Sequence, residues 1–143
     1  MAHATVDAGA ALNGSARALR AVLSELAYLT GCDAVPQAPV LQLQFDAIVT
    51  LSTVETGHGA ARLLVRALLP PLVGAGPATI MPVTAPDTAC VWNAAADRVE
   101  LWRRVGVSRL RDETAVLDAI AASGERAEAW LITARLALGL HRY

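Results

Sequence analysis

The sequence predicts an α+β fold: a two-layer sandwich in which an antiparallel sheet of about five strands carries an N-terminal and a C-terminal helix. Three observations predict it. Apolar residues recur at helical spacing from Leu12 to Leu26, alternate with polar ones from Leu41, and return to helical spacing between Val116 and Leu138. Five prolines and two glycines fall within the seventeen residues from Pro70 to Pro86, which breaks the chain between two groups of strands.

Residues Met1 to Ala11 are small and polar and read as a flexible tail, with 12–143 forming a single domain. Leu12, Ala16, Leu19, Leu23 and Leu26 follow at intervals of four, three, four and three, one stripe on a helix. Asn13 or Ser15 can supply the N-cap oxygen, and Gly31 stands where a left-handed residue would end the run. Val22 and Leu29 widen the stripe, so the helix should pack on a broad surface such as a sheet.

Beyond Pro36 and Pro39 the period becomes two. Leu41, Leu43 and Phe45 alternate with Gln42, Gln44 and Asp46, as in a half-buried strand. Ile48 to Glu55 is rich in β-branched residues; with Asp46-Ala47 as a tight turn it is a second strand, and without it the two are one long bent strand. Gly57-His58-Gly59 supplies the positive φ values of a turn. Residues 60–69 fit either period: a strand with Leu63 and Val65 inside and Arg62, Leu64 and Arg66 outside, or a helix stacking Ala61, Leu64, Val65 and Leu68. The hairpin-type turn before it and Pro70-Pro71 after it favour the strand.

All three tryptophans lie between Cys90 and Trp130. Cys90 to Asn93 and Arg98 to Arg104 read as a hairpin. A turn at Ala95-Ala96, or over Ala94 to Asp97, gives one register, with Trp92 opposite Val99 and Cys90 opposite Leu101. Val91, Asn93, Arg98, Glu100 and Trp102 then share the other face. A sheet covered by helices on one side leaves that face to solvent or a partner, so Trp102 is a candidate contact residue; the alternative is that the proline-rich segment covers it. Ser108 or Asp112 can cap the last helix, and Gly124 invites a kink because mid-helix glycine costs about 1 kcal/mol.

Composition bounds the function. The 143 residues are 55% hydrophobic and carry a net charge of −1, and all the basic residues are arginine, with only Arg103-Arg104 adjacent. Such a chain should bury about 70% of its unfolded surface. The scattered arginines argue against nucleic acid. Arg62, Arg66 and the prolines interrupt any apolar run approaching the roughly 18 residues of a membrane span. Residues 1–10 lack the basic and apolar regions of a signal peptide, which points to the cytoplasm and to reduced thiols at Cys32 and Cys90. Neither cysteine is grouped with histidine, so no metal site is expected. His58 beside Glu55 is the one pair that could serve a small thioesterase-like enzyme. No catalytic residues and no cofactor are expected.

The helix, the strands, the hairpin strand Asp97-Arg98-Val99-Glu100-Leu101-Trp102-Arg103-Arg104 and the final helix with Val116-Leu117-Asp118-Ala119-Ile120 and Ala127-Glu128-Ala129-Trp130 resemble the small chaperones of bacterial type III secretion, the Tir-chaperone or CesT-like class. The resemblance covers most of residues 15–138. It implies a cytoplasmic, non-enzymatic homodimer that binds an extended segment near the N-terminus of effector proteins and delivers them to the secretion apparatus, contributing to virulence. Family members are usually acidic and carry a helix between the third and fourth strands, where this chain has Pro70 to Pro86; that leaves the dimer contact unassigned. Strand addition with alternate side chains in apolar pockets is the expected binding mode. Val22, Leu26, Leu41, Leu43 and Phe45 are its candidate contacts, with Val91 and Trp102 on the opposite face for effector or second subunit. A dimeric adaptor without a client is the further alternative.

Overall fold

In the computed structural model, whose described residues are 15–31, 38–57, 59–72, 74–77 and 86–140, helix α1 spans Ala16–Leu29. Ser15 is the N-cap; its extended backbone turns the hydroxyl back to accept from the Ala18 N–H at 3.0 Å. Gly31 ends the run at φ +82, a value that spares it the Cβ clash of other residues. Leu19, Leu23, Leu26 and Ala27 are the buried stripe.

The sheet has five strands: β1 Leu41–Phe45, β2 Ile48–Glu55, β3 Arg62–Leu68, β4 Thr88–Asn93 and β5 Arg98–Gly106. They lie in the order β1-β2-β3-β5-β4, every neighbouring pair antiparallel. Phe45 pairs with Ile48 across Asp46-Ala47, so two strands and not one bent strand are formed; Asp46 takes φ 54 at the turn. Residues 60–69 hold a strand, because β3 pairs along its length with both β2 and β5. The β4–β5 register is the expected one, with Trp92 opposite Val99 and Cys90 opposite Leu101. Its turn is Ala94 to Asp97, started by Asn93 Oδ1 accepting from the Ala96 N–H at 3.1 Å.

After a short 3-10 turn at Val107–Arg109, helix α2 runs unbroken over Glu113–Leu140. Asp112 caps it, accepting from the Ala115 N–H at 2.9 Å. The helix is not interrupted at Gly124. Gly124 is buried against β1, and a Cβ there would stand 3.0 Å from Cγ and Cδ2 of Phe45. The glycine serves close packing of helix on strand, at a helix-propensity cost of about 1 kcal/mol.

Both helices pack on the same sheet face. One core joins Leu19, Leu23 and Leu26 of α1 to Leu41, Leu63, Val65 and Val105 of the sheet and to Val116 and Ile120 of α2. A second joins Ile48, Ala67, Val99 and Leu101 to Ala127, Trp130, Leu131 and Ala134, with Cys90 and Trp92 packed against it. The α+β, two-layer architecture is therefore present, with helices on one side of an antiparallel sheet. No described helix is long and apolar enough to cross a membrane. The tail 1–11, Cys32, His58 and 78–85 of the proline-rich segment lie outside the described residues.

Candidate functional site

Alternation puts every second residue of β2, β3, β4 and β5 on the face away from the helices. The register aligns them in rows: Glu55 and Arg62; Thr53, Leu64 and Arg104; Leu51, Arg66, Trp102 and Ala89; Val49, Leu68, Glu100 and Val91; then Arg98 and Asn93. This face sets four arginines and two glutamates among apolar residues. Its centre is a carboxylate.

Glu100 is fully buried. Its Oε1 accepts from Arg66 Nε and Nη2 at 3.0 and 2.8 Å and from the Trp102 indole N–H at 2.8 Å; its Oε2 accepts from Asn93 at 2.7 Å and Arg98 at 3.2 Å. Burial pushes the carboxyl up. The hydrogen bonds from Asn93, Trp102 and Arg66, with the Arg66 charge, outweigh it and hold the group below its ordinary range. A buried charge is tolerated here because each oxygen has its partners.

Trp102 lies over this hub, half-buried, with the guanidinium carbons of Arg66 and Arg104 5.2 and 5.7 Å from its ring centroid. Arg104 also bonds Glu55 Oε1 at 2.8 Å, an oxygen it shares with Arg62 at the same distance. Four arginines thus surround two carboxylates, and among the described residues the face carries two positive charges in excess although the whole chain is at −1. Beside the hub a shallow depression of about 340 Å³ runs between Val49, Leu51, Leu68, Pro70 and Arg98.

A separate ion-pair group ties the outer strand β4 to α2. Asp87 accepts from Arg103 Nε at 2.9 Å and from Arg126 Nη1 at 3.3 Å, while Arg103 also donates to the Ala119 carbonyl at 3.2 Å. Burial pushes the Asp87 carboxyl up, but hydrogen bonds from Arg103 and Thr88 and the charges of Arg103 and Arg126 bring it below its ordinary range.

The candidate contacts divide. Leu26, at 5% exposure, and Leu41, at 0%, belong to the core between α1 and β1 and present no surface to a partner. In the single chain their stripe faces the interior. Val22, Leu43 and Phe45 are half-buried and packed on the same core. Val91 and Trp102 are half-buried on the face away from the helices, as the register predicts. Glu55 is already bonded to two arginines, and its suggested partner His58 lies outside the described residues. No group of three or more His, Cys, Asp or Glu gathers as a metal site among the described residues.

Glu100 and its arginines were not singled out by sequence reasoning. A signal existed: an acidic residue in mid-strand with Arg at i−2 and Trp at i+2 on one face cannot be an ordinary solvated charge if Trp102 covers it. No family model, curated protein or solved structure matches this chain.

Proposed function

We propose that this protein is a cytoplasmic, non-enzymatic chaperone of the type III secretion kind, a homodimer that binds an extended segment near the N-terminus of an effector protein and delivers it for export. The observation that carries the reading is a five-stranded antiparallel sheet whose two described helices lie on one side, with no described helix on the other; a sheet face of that kind is one a partner would occupy. The element order of helix, three strands, proline-rich connection, hairpin and helix also matches the order on which the resemblance rests. The outer strands β1 and β4 are where strand addition would take place. Exposed Ile132 and Leu136, one turn apart on α2, are apolar surface available to a second subunit.

The test is purification of the tagged chain from its native bacterium, followed by reconstitution. The captured protein's isolated N-terminal region should bind the pure chaperone and stay protease-sensitive and non-globular while bound. A monomer that binds no such segment contradicts the reading, and so does turnover of a small substrate that His58→Ala abolishes.

A further inference from the structure

We infer that the face of the sheet opposite the helices is a docking surface for an acidic extended segment of a partner protein, with carboxylates at alternate positions meeting the arginine seam between β3 and β5. The inference deepens the chaperone reading and rests on it for the kind of partner. The juxtaposition that carries it is Arg62, Arg104 and Arg66 descending one row at a time along that seam, with Trp102 at its foot. Residues i and i+2 of an extended chain are about 6.6–6.8 Å apart, the same repeat that separates successive rows of a strand. A segment lying along the seam therefore brings alternate side chains to successive arginines.

Charge selects the occupant. Glu55 is shared by Arg62 and Arg104, and Glu100 by Arg66 and Arg98, so each carboxylate neutralises only one of two guanidiniums. Arg62, Arg66, Arg98 and Arg104 keep 29–34% of their side-chain surface in solvent, leaving donors for incoming carboxylates. Glu100, fully buried and bonded to Arg66, Arg98, Asn93 and Trp102, holds the arginine heads in place before a ligand arrives, which lowers the ordering cost of binding. A second copy of this chain is a poor occupant, because a two-fold contact would set the same positive excess against itself. Nucleic acid fits less well: one half-buried indole and a surplus of two charges offer little to a chain with a phosphate at every residue.

The test uses fluorescein-labelled peptides in which Val alternates with Glu or with Gln, titrated into the full chain by anisotropy. The Glu peptide should bind at least about tenfold more tightly than the Gln peptide. Arg62→Gln/Arg104→Gln should abolish that preference while leaving the circular dichroism spectrum unchanged, and raised salt should weaken the Glu peptide alone. Equal affinity for the two peptides, no binding of either, or displacement of the Glu peptide by oligothymidylate at equal concentration overturns the inference. If the Glu peptide binds by these criteria but no export client is found, the surface assignment stands and the chaperone reading falls. If a client binds equally well to the double variant, the chaperone reading stands and the acidic-segment assignment falls.

Discussion

Trp102 donates its indole N–H to Glu100 Oε1 at 2.8 Å, two residues away on the same strand and the same sheet face. The pair explains how one face holds a fully buried carboxylate and a large aromatic ring without a helix above them among the described residues. The ring shields the carboxylate, and the carboxylate supplies the partner that a half-buried indole needs.

Glu100→Gln keeps the shape and removes the charge. Arg66 and Arg98, both partly exposed, can turn to water, so the loss should be about 1–3 kcal/mol and not the larger penalty of stranding a fully buried cation. Urea unfolding measures it, and tryptophan emission should shift to the red as Trp102 loosens. An unchanged midpoint would show that the network contributes nothing to stability.

The same carboxylate sets a pH dependence. Its folded value lies below its ordinary value of 4.5, so its contribution is complete above 4.5 and is lost as pH falls through the folded value. The stability gap between the wild type and Glu100→Gln should therefore be constant near neutrality and close in acid below 4.5. A gap that widens on acidification contradicts the sign.

Gly124→Ala tests the packing of α2 on β1. Helix propensity alone would favour alanine by about 1 kcal/mol, but the new methyl meets the Phe45 ring at 3.0 Å. Overpacking of that kind typically costs about 1–3 kcal/mol, so the variant should be no more stable than the wild type, and in a Phe45→Leu background the same change should become stabilising. Thermal melts of the four proteins decide it. A stabilised single variant would mean that helix and strand separate readily.

Asp87→Asn should release β4 from α2. Its bonds to Arg103 and Arg126 are partly exposed, so global stability should fall by only about 1 kcal/mol. Hydrogen exchange should show the larger effect locally, with faster exchange in β4 than in β2. Uniform acceleration over all five strands would assign Asp87 to the global core instead.

The hairpin register was legible because turn length and alternation are local: four residues between Asn93 and Arg98 fix which side chains oppose. Residues 60–69 were legible only through what preceded and followed them, since their apolar pattern fits two periods. The role of Gly124 is not legible from its neighbours. Its justification is the ring of Phe45, seventy-nine positions away, and no local pattern encodes that contact. Leu26 and Leu41 show the same limit from the other side, for an apolar stripe has one spacing whether it faces its own sheet or a partner. The Glu100 cluster draws on β3, β4 and β5 at once, and only the strand order β3-β5-β4 brings Arg66 and Asn93 to the two sides of one carboxylate.

Trp102→Glu would put a second carboxylate beside buried Glu100 and damage the fold along with the surface, whereas Trp102→Ser removes the ring and adds no charge.

The most direct test of the face away from the helices as the binding surface is the indole region of a 15N–1H spectrum recorded as the alternating Val–Glu peptide is added. Trp102 Nε1–H reports that face, while Trp130 Nε1 is buried on the helix side. The Trp102 peak should shift or broaden in step with binding while the Trp130 peak stays in place, and Trp102→Ser should identify the peak and weaken binding. A peptide that binds while the Trp102 peak remains unmoved would contradict the assignment of this face.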